Sequence, residues 1–492
     1  MKLSTLLEGT VHQNLLVRDV EITGITMDSR KITPGCLFCC INGRGRDGHD
    51  FAAKALEDGA AAVVTQRYLS GLPQIIVADT VRTYGLLCAR FYQESWSLLR
   101  LIGITGTNGK TTTSVLLKQI LERNGFKTGL VGTIENVVGD HVYHTGLTTP
   151  PPEELHRLFA QMQSGGCRYA VAEISSQALD QGRLEGLRFA CAAFTNLTRD
   201  HLDYHGGMEN YYQAKKKLFS FCRVAVINVD DPWGERLAGE VPCRVVRLSR
   251  KALSADYRIS QVRTDWNGSA FRLDTPQGTF SIETALWGEY NIDNTACAVA
   301  CAVEAGVPAR DAAAAANGVQ SAKGRLESVE IGGGAAIVID YAHTPDALQK
   351  ALAALRKSHP KRLICVFGCG GDRDATKRPL MGRIAVENSD FTIITSDNPR
   401  TENPEAIIHD ILGGIPPDCK AYRVMKNRKD AISFAISQSQ KGDLILLAGK
   451  GHEDYQILGR QKIHFDEREI IQEILLQREK ERKIPAGAGQ KG

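Results

Sequence analysis

The stretch Leu98–Ser114, LLRLIGITGTNGKTTTS, decides the fold of this chain. Its apolar run Leu99–Ile104 is typical of a β-strand, and the Gly-rich turn TGTNGK separates that run from a helical pattern. A strand, a Gly-rich loop and a helix in this order bind phosphates, because the loop N–H groups and the helix N-terminus face the anion. The stretch therefore predicts a nucleoside triphosphate site in an α/β domain.

The loop has a side chain for each part of Mg·ATP. Lys110 can reach the β- and γ-phosphates, and a Thr hydroxyl that follows it can bind Mg²⁺. The match to G-x-x-x-x-G-K-[ST] is not strict, because the first glycine would fall on Ile104. The alternative is a Gly-rich turn with a solvated lysine, and the preceding strand and the Thr run favour the phosphate site. The predicted ATP-binding residues here are Gly106, Thr107, Asn108, Gly109, Lys110, Thr111 and Thr112.

Composition limits the class of protein. A chain of 492 residues, 43% hydrophobic and 24% charged, suggests about three domains with full apolar cores. The formal net charge is only +4, and no basic stripe with interleaved aromatics indicates nucleic acid. No window approaches the length of a membrane span, and the N-terminus is not typical of a signal peptide. We expect a cytoplasmic monomer that neither enters a membrane nor binds nucleic acid.

The thirteen cysteines are scattered through predicted strands and helices, which indicates reduced, buried thiols rather than a disulfide framework. Cys36, Cys39 and Cys40 form a C-x-x-C-C cluster without a second pair of ligands at zinc-finger spacing. We interpret this cluster as strand packing rather than as a metal site.

Two sets of alternating strands and helices follow the first ninety residues, which themselves alternate short strands with a helix near 51–58. This alternation predicts parallel sheets covered by helices on both faces. In the second set, four strands end at polar loops, and ligands bind at the carboxyl ends of such strands. The loops are Asp340–Pro345, Gly368–Arg373, Ser396–Arg400 and Gly449–Glu453. The tail from about Gln477 is charged, then rich in Gly, Ala and Pro, and we expect it to fray.

Three further features point to Mg·ATP chemistry. Glu173 ends the strand YAVAEI, where a neighbouring carboxylate can bind Mg²⁺. The segment NLTRDHLDYH supplies His201, which can bind metal or position a phosphate, although it could equally be a helix start with incidental histidines. The lysines of YYQAKKKLF read by composition alone as a solvated helix face.

In combination these residues resemble the Mur ligases, the ATP-dependent amide-forming family of peptidoglycan precursor synthesis. The resemblance covers nearly the whole chain, from Met27 to Gln456. The motifs that carry it, in the family's order, are TGTNGKTT, EISSQAL, NLTRDHLDYH, the N-x-x-N of Asn291 and Asn294, GRLE, DYAHTP, GCGGDRD and DNPR.

The resemblance implies three α/β domains: an N-terminal UDP-binding domain (1–94), a central P-loop ATPase domain (95–324) and a C-terminal Rossmann-like domain (325–492). The implied contacts to the UDP-linked substrate are Ser29, Thr148, Thr149, Ser175, Gln181 and Arg183. Asn291, Asn294, Arg325 and Asp340 complete the implied ATP site. The register of A-K-x-x-L-F places the family's carbamylated, Mg²⁺-bridging lysine on Lys215. The implied metal set is Thr111, Glu173, His201 and Lys215, and the implied catalytic set is Lys110, Glu173, His201, Lys215 and Arg325.

Within the family, the motifs are most similar to members that add meso-diaminopimelate to UDP-N-acetylmuramoyl-L-alanyl-D-glutamate. Diaminopimelate carries a carboxylate that lysine lacks, and a guanidinium can bind it in a bidentate manner. Arg400 in DNPR supplies one, and lysine-adding relatives tend to lose that arginine; Arg373 supplies another. The implied diaminopimelate site is Arg373, Asp397, Asn398, Pro399, Arg400, Gly449 and Glu453.

The expected reaction activates the D-Glu carboxylate with ATP as an acyl phosphate, which the diaminopimelate amine then attacks. His343 and His452 are candidates for the base that deprotonates this amine. The same ligation with L-lysine is the first alternative. Folylpolyglutamate synthesis and a non-catalytic scaffold are others, against which the MDSR segment and the combined site residues argue respectively.

Overall fold

The structure, a computed structural model, describes residues 1–43, 45–144, 146–265 and 268–483. These residues form two compact units. The first unit comprises 1–260, 272–282 and 293–317, and the second comprises 261–271, 283–292 and the chain from 318. The predicted α/β class is confirmed. The domain boundaries expected after residues 94 and 324 stay predictions.

The N-terminal part of the first unit is a five-stranded sheet in the order β1-β5-β4-β3-β2. All of its strand pairs are parallel except β1 with β5. The buried Cys36, Cys39 and Cys40 pack in apolar clusters here, as the packing interpretation predicts. The elements are α1 (Leu3–Leu7), β1 (Gln13–Leu15), β2 (Ile25–Thr26), β3 (Leu37–Cys39), α2 (Ala52–Glu57), β4 (Ala62–Thr65), β5 (Gln74–Ile76) and α3 (Thr80–Phe91).

Helix α3 packs closely against the chain near Glu153 and Glu185, which belong to the same unit. Gly85 lies inside α3, and a Cβ added there would be 2.5 Å from the carbonyl oxygen of Glu185. The Tyr84 hydroxyl donates to Glu153 at 2.5 Å. The lack of a side chain at Gly85 therefore lets the two backbones approach.

The first unit also contains most of an eleven-stranded sheet, in the order β16-β15-β14-β13-β12-β11-β6-β10-β7-β8-β9. In the order of the sheet, the strands from β14 through β6 to β7 are parallel, as predicted. Beyond β7, strands β8 and β9 are added in antiparallel pairs. The strands are β6 (Arg100–Thr105), β7 (Thr128–Val131), β8 (Glu135–Val138), β9 (His141–His144), β10 (Tyr169–Glu173), β11 (Phe189–Phe194), β12 (Cys222–Asn228), β13 (Arg244–Ser249), β14 (Tyr257–Asp265), β15 (Gly268–Thr275) and β16 (Gly278–Thr284). The helices are α4 (Lys110–Arg123), α5 (Pro152–Ser164), α6 (Ser176–Asp180), α7 (Leu202–His205), α8 (Met208–Lys216), α9 (Pro232–Glu240), α10 (Glu289–Glu304) and α11 (Ala309–Ala316).

Strand β6 lies between β10 and β11, and this order creates the site. Ile104 pairs with Glu173 on one side and with Ala193 on the other. Because the three strands are parallel, the loop after β6, the carboxylate of Glu173 and the segment after β11 meet at one sheet edge.

The second unit is built on a six-stranded sheet in the order β17-β18-β22-β19-β20-β21, parallel except for β17. Apolar clusters cover both of its faces. Its elements are β17 (Glu327–Glu330), β18 (Ala336–Asp340), α12 (Pro345–Arg356), β19 (Arg362–Phe367), α13 (Lys377–Asn388), β20 (Phe391–Ile394), α14 (Pro404–Leu412), β21 (Tyr422–Val424), α15 (Arg428–Gln438), β22 (Asp443–Ala448), the hairpin β23 (Tyr455–Leu458) and β24 (Gln461–His464), and α16 (Glu467–Lys483).

The structure describes only the start of the tail, where the chain from Gln477 to Lys483 continues α16. The fraying expected beyond these first residues stays a prediction. Residues 484–492 lie outside the described residues. In the part of the chain that the structure describes, no helix is long and apolar enough to cross a membrane.

Candidate functional site

The loop after β6 is shaped by its two glycines. Gly106 and Gly109 adopt φ of +153° and +86°, which favour glycine. A Cβ at Gly106 would overlap Thr195 Oγ1, and one at Gly109 would overlap Asn294 Oδ1. The loop is therefore packed against the segment after β11 and against α10, both in the same unit.

The side chain of Asn196 fixes the conformation of this loop through two hydrogen bonds. Its Oδ1 accepts from the Asn108 backbone N–H at 3.0 Å, and its Nδ2 donates to the Asn108 carbonyl at 3.0 Å. Thr195 Oγ1 donates to the same carbonyl at 2.6 Å. The loop conformation is thus fixed by the protein itself, as a preorganised anion site requires.

Two lysines converge beneath the loop. Lys110 Nζ donates to the carbonyls of Gly106 and Thr107 at 2.9 and 2.8 Å. Lys215, on α8, is buried and also donates to the Gly106 carbonyl, at 2.9 Å. Burial, and then the nearby Lys110 charge, lowers the pKa of Lys215 well below its ordinary value. The lowered pKa favours the uncharged form of the Lys215 amine.

Glu173 is a buried carboxylate surrounded by hydroxyl groups. Its Oε2 accepts from Thr111 Oγ1 at 2.8 Å and from Thr133 Oγ1 at 2.9 Å, and its Oε1 accepts from the Thr133 N–H at 2.8 Å. A carboxylate beside the first hydroxyl of a phosphate loop is the donor set that Mg²⁺ prefers, so these residues fit a Mg²⁺ site.

The residues matched to the UDP-linked substrate form a cluster next to Glu173. Thr149 Oγ1 donates to the Glu173 carbonyl at 2.8 Å and accepts from the Ser175 N–H at 3.0 Å. Arg183 donates to the Thr149 carbonyl and, through Nε at 3.0 Å, to Gln181 Oε1. Thr148 joins the same network through the Thr133 hydroxyl, at 3.0 Å.

Ser29 and His201 are placed less centrally. Ser29 begins a short 3₁₀ helix, Ser29–Lys31, whose cap is Asp28. His201 adopts a φ of +51° just before α7, and its imidazole is 46% exposed. Its Nε2 lies 3.4 Å from Asp200, and its ring centroid lies 6.2 Å from that of Tyr211. The roles predicted for Ser29 and His201 stay predictions that the resemblance implies.

Sequence reasoning missed Thr133 and Tyr211. The Tyr211 hydroxyl lies 3.2 Å from Thr107 Oγ1, and the Lys215 ammonium nitrogen lies 4.6 Å from the centre of its ring. His205 stacks on the same ring, with 5.0 Å between centroids. Tyr211 precedes Lys215 by one helical turn, and this i, i+4 spacing was the available signal. Thr133 follows β7 and belongs to none of the motifs, so the sequence offered no signal for it.

The second unit gathers the expected acceptor residues. The four polar loops follow β18, β19, β20 and β22, which form one continuous parallel block, so the loops lie at one edge of the sheet, as predicted. Asp397 is buried, and its Oδ1 accepts from the Asn398 N–H at 2.7 Å. Asn398 Nδ2 donates to Glu453 Oε2 at 2.8 Å.

Backbone geometry brings these loops together. Gly449 adopts a φ of +115°, and a Cβ there would lie 2.7 Å from Asp397 Oδ2. A Cβ at Gly371 would overlap the carbonyl of Pro399, which is buried. Arg400 Nη1 donates to the Gly371 carbonyl at 2.7 Å. Arg373, by contrast, is exposed, and its described contact is with the carbonyl of its neighbour Asp372.

The remaining predicted ATP residues divide between the units. In the first, Asn294 Oδ1 accepts from Thr113 Oγ1 at 3.3 Å. In the second, Asn291 Nδ2 donates to the Trp287 carbonyl at 2.9 Å. Asp340 is deeply placed and accepts from the Leu326 N–H at 2.7 Å, and burial raises its pKa despite the opposing charge of Arg325. The Arg325 guanidinium lies 4.9 Å above the Tyr341 ring.

The two candidate bases differ in surroundings. Burial and the charges of Arg325, Arg468 and Lys323 lower the pKa of His452 to about 4. His343 is exposed, and its Nδ1 lies 2.9 Å from the Tyr341 carbonyl oxygen. Both rings contact Tyr341, with centroids 5.0 and 4.6 Å away.

Comparisons with known proteins match this architecture. Three family models match the chain: "Mur ligase family, catalytic domain" at residues 21–80, "Mur ligase middle domain" at 104–302 and "Mur ligase, glutamate ligase domain" at 324–451. The UDP-N-acetylmuramoyl-L-alanyl-D-glutamate–2,6-diaminopimelate ligase of Geobacillus kaustophilus is 42% identical over 93% of this chain and 96% of its own length. The protein of that name from Gloeobacter violaceus is 45% identical over 97% of this chain and 99% of its own.

A solved structure agrees. The structure of a UDP-N-acetylmuramoyl-L-alanyl-D-glutamate–2,6-diaminopimelate ligase matches 97% of this chain and 99% of that one, with a TM-score of 0.73 and 32% identity. Sequence and fold thus agree along almost the full length of the chain. The chain belongs to the Mur ligase family.

Proposed function

We propose that this chain is an ATP-dependent ligase that adds meso-diaminopimelate to the D-Glu carboxylate of UDP-N-acetylmuramoyl-L-alanyl-D-glutamate. The observation that carries the proposal is the combination of two sites in one family member. One is the loop after β6, with Lys110, Lys215 and Glu173 around it. The other is the loop edge of the second unit's sheet, where Arg400 donates to the Gly371 carbonyl and Asn398 donates to the buried Glu453. Relatives that match 93% and 97% of this chain are named for this reaction.

In the first step, the D-Glu carboxylate attacks the γ-phosphorus of ATP, and ADP leaves. The N–H groups of the loop and Lys110 bind the phosphates and stabilise the charge that develops on them. Thr111, Glu173 and a carbamate on Lys215 would hold Mg²⁺, which would neutralise phosphate charge when bound. Lys215 suits this role because burial lowers the pKa of its amine and so favours the uncharged form, which can take up CO₂. His201 keeps the metal-binding role that the resemblance implies. Asn291, Asn294, Arg325 and Asp340 keep the implied nucleotide-side roles.

In the second step, the diaminopimelate amine attacks the acyl carbon and phosphate leaves. Asp397, Asn398 and Glu453 would orient ammonium groups of the acceptor, and Arg400 would bind its distal carboxylate. With a pKa of about 4, His452 is neutral at pH 7 but is a weak base, whereas His343 is more accessible. Thr148, Thr149, Ser175, Gln181 and Arg183 would hold the UDP-linked substrate, with Ser29 on its uridine side.

Phosphate release from ATP tests the proposal, with UDP-N-acetylmuramoyl-L-alanyl-D-glutamate and either meso-diaminopimelate or L-lysine as acceptor. Release that depends on diaminopimelate is the expected result. Equal release with lysine would keep the chemistry and overturn the acceptor specificity. No release with either would favour another acceptor or a non-catalytic relative. The monomeric state and cytoplasmic location stay predictions.

A further inference from the structure

Lys450 is a fully buried lysine that the motifs did not single out. It follows β22 directly after Gly449, and its side chain is 0% exposed. Burying an ammonium is costly unless it is paired and hydrogen-bonded. Its Nζ donates to Glu453 Oε2 at 3.0 Å and to Asn398 Oδ1 at 3.4 Å. Lys450 therefore contacts Asn398 and Glu453, two of the residues that we propose to bind the acceptor amino acid.

The two carboxylate oxygens of Glu453 have different partners. Oε2 accepts both from Asn398 Nδ2, at 2.8 Å, and from Lys450. Oε1 has a weaker described partner, the Tyr455 hydroxyl at 3.4 Å. A carboxylate oxygen has about two acceptor sites, so Oε1 keeps capacity for a further donor.

Asn398 is fixed in the same way. Its Oδ1 accepts from the Ile457 N–H at 3.0 Å, so its Nδ2 faces Glu453. Lys450 reinforces this orientation, because its ammonium can only donate and so contacts Oδ1. The three side chains form one buried network, which we call the Lys450 network: Lys450, Asn398 and Glu453.

We propose that Lys450 is a positioning residue for the acceptor amino acid: it occupies one oxygen of Glu453 and compensates its charge, so that the other oxygen receives an ammonium group of the substrate. This inference rests on the proposed function, because it assigns Glu453 to the acceptor. Lys450 itself does not touch the substrate. Its contact with Oε2 pairs the buried carboxylate and holds it in one orientation before the substrate arrives.

The competing explanation is that Lys450 only stabilises the fold. Its Nζ lies 5.5 and 5.8 Å from the centres of the Tyr455 and Phe465 rings, and such packing contacts would stabilise the fold. Lys462 offers a matched control, because its Nζ lies 3.7 Å from the same Tyr455 ring but it is exposed and outside the Lys450 network.

Steady-state kinetics of Lys450→Met and Lys462→Met, with each substrate varied in turn, separates the two explanations. For Lys450→Met we expect the KM for diaminopimelate to rise at least about tenfold, while the KM values for ATP and the UDP-linked substrate change less than about twofold. Lys450→Arg, which keeps the charge, should restore part of the affinity. Lys462→Met should leave all KM values unchanged. An unchanged KM for diaminopimelate, or an equal loss for all substrates, would overturn the inference.

A double variant isolates the route through Glu453. If Lys450 acts through Glu453, then adding Lys450→Met to Glu453→Gln should raise the KM for diaminopimelate no further. This variant also removes both buried charges together, so it remains measurable if the single variant does not fold. Additive increases would overturn the inference.

Failure of the proposed function has a different signature. The wild-type protein would then release no phosphate with diaminopimelate, whatever the variants do. If L-lysine is used instead, its KM replaces that of diaminopimelate in the same comparison. If neither is used, calorimetric binding of each amino acid to wild type and Lys450→Met decides the inference. Equal binding by both proteins, or no binding by wild type, would overturn it.

Discussion

Lys110 and Lys215 donate to one and the same oxygen, the Gly106 carbonyl, each at 2.9 Å. Two ammonium groups this close repel each other, and Lys215 is the buried one. Its pKa falls well below the ordinary value for lysine, so its amine loses its proton more readily than that of a solvated lysine. Only an unprotonated amine adds CO₂ to form a carbamate. The Gly106 carbonyl thus links the phosphate loop to the reactivity of Lys215.

Lys215 should carry a carbamate at neutral pH. In ¹³C-bicarbonate, we expect a carbamate carbon signal that is absent from Lys215→Ala. The same variant should lose activity by about a hundredfold or more, because a preorganised charge next to the phosphates is removed. Short carboxylic acids should partly rescue it. Lys216→Ala and Lys217→Ala are the controls, since these lysines pair with Glu240 and Asp180 instead. Full activity of Lys215→Ala would remove Lys215 from the mechanism.

Thr133→Val should weaken the proposed Mg²⁺ site. The change removes the hydroxyl that donates to Glu173 Oε2 at 2.9 Å but keeps the backbone N–H that donates to Oε1. Loss of one such hydrogen bond costs about 1 kcal/mol, and we expect a roughly fivefold rise in the Mg²⁺ concentration for half-maximal activity. Thr279→Val removes an exposed hydroxyl-to-carboxylate hydrogen bond and should have no effect on this concentration. Equal behaviour of the two variants would contradict the assignment of Glu173.

Arg400→Ala should reduce the preference for diaminopimelate over lysine. The contact that we propose for Arg400 is a charge-assisted pair with the distal carboxylate, for which about 1.5–3 kcal/mol, roughly ten- to a hundredfold in the ratio of kcat/KM, is typical. Arg373→Ala should change this ratio less, because Arg373 is exposed and contacts its neighbour's carbonyl. An intact preference in Arg400→Ala would contradict the specificity assigned to DNPR.

Gly85→Ala should destabilise the protein although alanine favours helices. The new Cβ would lie 2.5 Å from a backbone oxygen of Glu185, which cannot move like a side chain. We expect a loss of about 1–3 kcal/mol in the free energy of unfolding by urea. Gly239, in α9, has open space around its Cβ position, so Gly239→Ala should instead gain about 0.5–1 kcal/mol. A stable Gly85→Ala would mean that α3 does not pack as described.

His452 should make stability depend on pH. Its pKa is about 4 when folded, against the ordinary 6.5, so the unfolded chain binds more protons between these values. Stability should therefore fall as the pH drops from 6.5 towards 4, by at most about 3 kcal/mol from this residue. In urea unfolding, His452→Gln should flatten that dependence. His156, whose pKa burial also lowers to about 4, contributes in the same direction and remains in the variant. An unchanged slope would place His452 in solvent.

Local patterns predicted the strands and loops of both sites well. The run before the phosphate loop became β6, and the segments DNPR (397–400) and GKGHE (449–453) follow β20 and β22 of one parallel sheet. What the sequence could not supply were contacts between distant segments. Thr133 meets Glu173 because β7 pairs with β10, and strand order is not written in any single segment. The burial of Lys450 could not be predicted from its own segment, because burial depends on the packing of distant parts of the chain.

The hairpin of β23 and β24 has a consequence for how acceptor choice can evolve. Arg400, with a φ of +52°, forms a bridge with Leu458; its N–H donates to the Ile457 carbonyl at 3.1 Å, and its carbonyl accepts from the Gly459 N–H at 2.8 Å. Main-chain bonds from a neighbouring hairpin therefore hold the backbone from which the guanidinium projects, and these bonds do not constrain the side chains of that hairpin. Insertions or deletions in that hairpin could redirect the arginine, and with it the accepted amino acid, while every motif residue stayed in place.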